Sequence, residues 1–377
     1  MENGFLLNFS LYEEKTIQNC QIMLKKTKLN EILNRTHSLL CRYWFAHRVA
    51  ISMKPINEID TAILKNLFED GRKNFTLIAE ECHVSKDIIW KHYMRMKRAG
   101  IIVGATIEFN YPRFGYNAVV NLLLNVESQY IDEVFEHLRN IPDVETCRQY
   151  NSPYNIITVS KLRSLRDLER IKEVVNKKNL INEIKTLLWI DVKNLPENIL
   201  RSTFENETAK VDQKSSQADP GACSSAMKLD EIDLQIVEKL TKDGQAPFKK
   251  IAEEIGSSTG TVARRYQKLI EHKFIKVTIQ INPAKLGYKA LVTFLIEITN
   301  HDKIRDIVEK LSKIPRVSYI ATIAGAYDLR VVALVKDLKE IFTINEEIEK
   351  VPFIKRIETS LRSPRLWPVP LQYMSTL

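Results

Sequence analysis

The chain has 377 residues, with 56 Lys+Arg against 47 Asp+Glu, a formal net charge of +9 and a pI near 9.1. That length suffices for two or three full cores, and the charge favours a polyanionic partner. Five scattered cysteines without a Cys-x-x-Cys pair and seven histidines without ligand spacing argue for a reducing interior and against a disulfide framework or a metal site.

No apolar run approaches the roughly 18 residues of a membrane helix, and no signal peptide opens the chain, so no membrane partner and a cytoplasmic, nucleoid-associated location are expected. No Ser-His-Asp set, glycine-rich phosphate loop or paired carboxylates are legible, and neither catalytic residues nor cofactors are assigned.

Residues 1–52 form an amino-terminal extension with seven Lys/Arg against four Glu, and with Trp44 and Phe45. Two readings stand: one or two extra helices, or a chain whose translation begins at Met53, because MKPINEIDTAIL there echoes MKLDEIDLQIV at Met227.

The next stretch, 53–110, is the first member of a duplication. Ile56 to Ile102 and Leu229 to Ile275, offset by 173 residues, share fifteen identities in forty-seven positions, among them Asp60/Asp233, Gly71/Gly244, Phe75/Phe248 and Ser85/Ser258. Ile59, Ile63 and Leu67 form the apolar stripe of a first helix. The third helix, Ser85 to Arg98, is net +4 and offers Lys86, Lys91, His92 and Arg95 to DNA. Ile88 and Trp90, however, stand where base contacts are expected, so this copy should read DNA less specifically.

Residues 111–200 follow with strands at Ala118 to Val126, Val144 to Gln149, Ile156 to Val159 and Ile181 to Ile190, and helices at Ile131 to Arg139 and Leu165 to Asn176. The order βαββαβ closes a four-stranded antiparallel sheet with both helices on one side. Strands such as VVNLLLNV are apolar on both faces, so the bare face needs a cover, and a second copy is the nearest candidate. Residues 201–226 are a polar linker whose typical span, roughly 25–30 Å, lets two sheets of one chain meet.

The second copy occupies 227–283. Ile232, Ile236 and Leu240 recur every four residues, breaks fall at Asp243-Gly244 and Gly256-Ser257-Ser258, and Ser257 or Ser258 caps a third helix. With Val262, Tyr266 and Leu269 inward, Thr261, Arg264, Arg265 and Lys268 are expected on the open face, beside Ser258 and Thr259 at its start. The segment is net +3, and guanidinium forks suit guanine edges in a major groove. Phe274 to Ile281 alternates as a strand or wing. The βαββαβ pattern recurs in 284–364: Leu291 to Ile298, Ile304 to Ser312, Val317 to Ile323, Leu329 to Val335, Leu338 to Glu349 and Ile354 to Leu361. A proline-bearing tail, 365–377, ends the chain.

A helix-turn-helix with LDEIDLQIVEKL at its start, INPAKLGY (Ile281 to Tyr288) at its junction and GAYDL (Gly325 to Leu329) in the sheet resembles the Lrp/AsnC, or feast/famine, transcription regulators. The likeness covers about Lys54 to Pro364, twice over. It implies an α+β chain of two winged helix-turn-helix domains, each followed by a ferredoxin-like βαββαβ domain. It also implies pairing through the sheets, double-stranded DNA as partner and an amino acid or similar metabolite at the sheet interface.

Carried onto this chain, the Gly-x-x-Asp hairpin places Gly325, Tyr327 and Asp328 at the effector and assembly interface. Gly325 permits a positive-φ turn and Asp328 can accept from an effector amine; a plain hairpin turn is the alternative. Copy one has Ser152-Pro153-Tyr154-Asn155 there, which implies an asymmetric pseudo-dimer with at most one standard effector pocket.

The expected function is a sequence-specific DNA-binding regulator. A nonspecific chromatin architectural protein is one alternative. The other is a siroheme-decarboxylase-like enzyme, faintly suggested by Tyr154-Asn155; it would need a histidine or arginine cluster near the hairpin, where only Arg148 and His137 are expected.

Overall fold

A computed structural model describes residues 56–141, 144–201, 229–364 and 366–368. The extension, residues 202–226 of the linker and most of the tail lie outside the described residues.

The first helix-turn-helix consists of α1 (Glu58–Glu69), α2 (Phe75–Glu81) and α3 (Lys86–Arg98). A capping box of Asn57 and Asp60 starts α1 by satisfying amides that lack an intrahelical partner, and Ser85 caps α3. Ile63, Leu64, Leu67, Ile78 and Ile89 lose all solvent exposure in the core beneath.

The second helix-turn-helix, α7 (Glu231–Lys242), α8 (Phe248–Ile255) and α9 (Thr259–Glu271), repeats the plan. Asp230 and Asp233 form its capping box, Gly256 ends α8 in the left-handed region and Ser258 caps α9.

The strands that follow the readers, β1 (Ile102–Phe109) and β6 (Ile275–Ile281), pair with each other antiparallel. What alternation marked as a strand or wing is thus a ribbon joining the copies. Each reader leans on the other copy's strand: Gly71 N–H donates to the Val277 carbonyl at 2.8 Å, and Gly244 N–H to the Ala105 carbonyl at 2.9 Å. A Cβ at Gly71 would lie 2.9 Å from Thr278 backbone carbon, and one at Gly244 2.9 Å from the Thr106 oxygen. The shared Asp-Gly turn is therefore a docking point that admits no side chain.

Copy one's sheet module is β2 (Ala118–Val126), α4 (Ile131–Arg139), β3 (Val144–Arg148), β4 (Ile156–Leu162), α5 (Arg166–Val175) and β5 (Ile181–Asn194), followed by α6 (Pro196–Arg201). Copy two's is β7 (Ala290–Ile298), α10 (Ile304–Ser312), β8 (Val317–Gly325), β9 (Leu329–Val335), α11 (Leu338–Glu349) and β10 (Ile354–Arg362). The βαββαβ order stands; β5 runs past its expected end at Ile190, and α6 carries no pattern that the sequence reading registered.

All eight strands form one sheet, ordered β10-β7-β9-β8-β5-β2-β4-β3. The modules join where β5 pairs with β8, Leu187 opposite Gly325 through Asn194 opposite Tyr319. At the far ends a bridge links Tyr150 to Leu361, so the strand row closes on itself. Inward residues of both halves, including Leu123, Ile157, Leu187, Leu291, Ile323 and Val332, share one core. The second copy does cover the bare face. Outside, α4 and α5 pack Leu138 and Val175 against Leu122 and Leu124, while α10 and α11 pack Leu311 and Ile348 in a separate cluster with Phe294.

Candidate nucleic-acid interface and sheet junction

Along α9, Val262 and Leu269 are fully buried, so helical spacing leaves Ser258, Thr259, Arg264 and Lys268 exposed and Thr261 partly exposed. Gln267 joins this face, and Lys249 and Lys250 at the start of α8 are also exposed. The sequence reading passed over these three, although lysines in the first turn of a second helix were a usable signal.

Arg265 departs from expectation. Its Nη1 lies 2.7 Å from Asp230 and 2.8 Å from Asp233, the two carboxylates that start α7. The side chain is 21% exposed and that of Asp233 only 5%. Asp233 first and Asp230 second raise the guanidinium's pKa above its ordinary value. The residue fills the seam between α9 and α7 and does not stand on the open face.

Copy one repeats the substitution of roles. His92 Nδ1 lies 2.9 Å from Asp60, and Arg95 is ion-paired to the other oxygen of the same carboxylate. Both belong to the seam of α3 and α1, whereas Lys86 and Lys91 are exposed. Trp90 is 53% exposed, its ring stacked on Tyr93 at 6.0 Å and tilted against Phe75 at 5.9 Å. Ile88 and Leu77 are exposed with it, so the face that is polar and cationic in copy two is largely apolar here.

The readers are also clamped to each other. Arg72, in the turn after α1, donates from Nε to the Gly244 carbonyl at 2.8 Å and from Nη2 to the Ala246 carbonyl at 2.6 Å. Its guanidinium lies over the Phe248 ring at 4.5 Å and the Tyr266 ring at 5.2 Å. Reciprocally, Gln245 Nε2 donates to the Gly71 carbonyl at 2.6 Å.

At the sheet junction Gly325 has φ 138°, and a Cβ there would collide with the Thr186 carbonyl oxygen across the β5–β8 seam. Asp328 is engaged within its own module: Oδ2 accepts from Ile298 N–H at 2.8 Å, and Oδ1 is 2.9 Å from His301 Nε2. In copy one Asn155 Oδ1 accepts from Val126 N–H at 3.2 Å in the same manner. The expected free carboxylate for an effector amine is thus a strand-end clamp. His301, absent from the sequence reading of this hairpin, is its partner.

Tyr327 is buried, as is its counterpart Tyr154. The Tyr327 hydroxyl donates to Glu358, and that of Tyr154 donates to Glu183 at 3.2 Å. Burial first, then Glu358, pushes the Tyr327 hydroxyl up. Lys185 Nζ lies 4.9 Å from the Tyr154 ring and 6.0 Å from that of Tyr327.

Comparison with known proteins fits this architecture. The AsnC-type helix-turn-helix domain matches residues 229–270, the Lrp/AsnC ligand binding domain 291–365, and a winged helix-turn-helix DNA-binding domain 56–103. An uncharacterized HTH-type transcriptional regulator of Pyrococcus horikoshii is 35% identical over 147 residues, 38% of this chain and 92% of that protein. The chain belongs to the Lrp/AsnC family. Another relative, the HTH-type transcriptional regulator LrpA of the same organism, is 33% identical over 131 residues, covering 34% of this chain and 92% of its own length.

Lrp/AsnC relatives of that length correspond to one copy, and this chain holds two. Among solved structures, the siroheme decarboxylase NirDL superposes with a TM-score of 0.57 at 18% identity, covering 85% of this chain and 95% of that one, a likeness of fold. Among the described residues no helix is long and apolar enough to cross a membrane.

Proposed function

We propose that this Lrp/AsnC protein is a sequence-specific DNA-binding transcription regulator that acts as a covalent pseudo-dimer and responds to an amino acid or related small metabolite. The observation that carries the reading is the exposed, cationic face of α9 on a reader locked to its twin by β1–β6 and Arg72. Arg264 and Lys268, with Thr261 and the start of the helix at Ser258 and Thr259, face the bases; Lys86 and Lys91 hold phosphates from copy one. Fusion raises the effective concentration of the second reader and lets the halves diverge. The setting is cytoplasmic and nucleoid-associated, and chains associate further through their sheet modules.

The test is genomic footprinting with purified protein. Occupied sites should be imperfect palindromes with half-sites about one helical turn apart or a multiple of it, and affinity should fall steeply with salt as phosphate counterions are released. Binding that is equal across competitor DNAs would overturn the reading in favour of an architectural role.

The fold match to NirDL supports a second reading, an enzyme of the same architecture. Adding siroheme and following bound chromophore and lost carboxylates tests it; no bound chromophore removes it.

A further inference from the structure

The interior enclosed by the two halves of the sheet is not apolar throughout. Arg330 on β9 is 3% exposed there, with its guanidinium 5.4 Å from the Tyr319 ring centre and 5.9 Å from that of Trp189. It donates to the Tyr319 hydroxyl. Arg362, at the end of β10 in the same module, lies near this interior, its Nη1 3.6 Å from Cys147 Sγ on β3. Ser360, two residues earlier on the same strand face, donates to Gln149 Oε1 at 2.8 Å.

Among the described residues no Asp or Glu forms an ion pair with Arg330 or Arg362, and the Nε of each, buried, has no hydrogen-bond partner. Enclosing the Arg330 guanidinium without a carboxylate is unfavourable, and the Arg362 cation near it adds repulsion. Burial foremost, and the charge of Arg362, hold Arg330 below the ordinary arginine value. Buried donors left open in a folded protein call for a missing acceptor. A planar guanidinium edge is shaped to take two oxygens of a carboxylate or phosphate.

We propose that Arg330 and Arg362 receive a small dianion, presenting carboxylate or phosphate oxygens, between the two halves of the sheet. The offset of 173 residues puts Ile157 and Trp189 at the corresponding places of copy one, so among the described residues copy two alone carries the arginine pair. The inference rests on reading the sheet modules as the metabolite-binding part of the protein. It moves the ligand from the hairpin at Asp328 to the interior enclosed by the sheet and gives it a charge.

The test uses the full chain without DNA, titrated calorimetrically with inorganic phosphate and, separately, with succinate, alongside thermal unfolding in buffer free of both. At least one probe should bind saturably. Arg330→Met and Arg362→Met should each weaken it about tenfold or more, as loss of a charge-assisted pair requires, with Arg330→Lys in between. Without anion, Arg330→Met should keep or raise Tm, because it removes an unpaired buried charge.

Phosphate alone binding identifies an inorganic or phosphoryl ligand, and succinate alone an organic diacid; either supports the site. Failure of both probes to saturate the wild type, or binding undiminished in both Met variants, overturns it. So does a fall in Tm of Arg330→Met in anion-free buffer, which would make Arg330 a structural brace. No DNA is present, so a failed titration leaves the regulator reading standing, and failed footprinting leaves the titration interpretable.

Discussion

Adjacent arginines on α9 have opposite surroundings, and separating them tests the DNA reading most directly. Arg264 is exposed and forms no ion pair among the described residues, so Arg264→Ala should leave unfolding by urea unchanged. It should cost about 1–3 kcal/mol of operator binding, roughly 5- to 150-fold in Kd. Arg265→Ala removes the group at 2.8 Å from Asp233 Oδ1, on a carboxylate with 5% of its surface exposed. An acceptor left open in that position costs about 1–3 kcal/mol of folding stability, and the first turn of α7 loosens with it. The assays are fluorescence anisotropy on a footprinted operator and urea unfolding of each variant. If Arg265→Ala weakens DNA binding as much as Arg264→Ala while its unfolding midpoint stays put, Arg265 leaves the seam to read bases and the assignment of roles is wrong.

Four further outcomes are expected. Gly325→Ala, forced against Thr186 from a backbone that side chains rarely adopt, should destabilise the fold by about 3–5 kcal/mol; a Tm within a degree or two of wild type would refute the close approach. Arg72→Ala should cost about 2–3 kcal/mol through two carbonyl hydrogen bonds and its aromatic bed and broaden the half-site spacings tolerated in a binding selection, unless the readers are held by β1–β6 alone.

Lys185 Nζ lies 3.8 Å from Glu183 and within the field of Glu358, so Lys185→Glu, which sets a third carboxylate beside them, should lower stability by about 1 kcal/mol. Restoration by Glu358→Lys in a double-mutant cycle is the check, and strict additivity would deny the coupling. Glu108, buried on β1 with Lys276 3.7 Å away, has its carboxyl pushed up by burial, partly offset by that lysine. Its contribution to stability is complete below the unfolded carboxyl range, near pH 4, and is lost as pH rises through the raised folded value. Glu108→Gln should therefore raise Tm more at pH 7 than at pH 4; an equal change at both would contradict it.

The helices were legible because the apolar residues at Ile63, Leu67, Ile236 and Leu240 obey a simple period, and the βαββαβ order because largely apolar runs at 118–126 and 291–298 are separated by helical stretches. The identity of Gly71 with Gly244 was visible as repetition, yet its cause, contact with the opposite copy's strand, is a matter of tertiary pairing. Arg265 and Lys268 are equally cationic in sequence; what separates them is a pair of carboxylates at 230 and 233, more than thirty residues earlier, that only the packing of α7 on α9 brings near. Asp328 likewise reads as a free acceptor until the end of β7 and His301 are folded against it. In β9, LRVVALV, alternation finds two faces without saying that the one bearing Arg330 is enclosed by the other half of the same sheet.

The pairing of β1 with β6 has a bearing on biosynthesis. A ribosome delivers α1 to α3 long before Ile275, so the first reader spends nearly half of translation without the strand on which its Asp-Gly turn comes to rest, and its greasy underside must wait. Nascent chains arrested upstream of that residue should remain protease-sensitive across 56–102 and become resistant once the partner strand emerges. Maturation of the two halves would then be a single, late event.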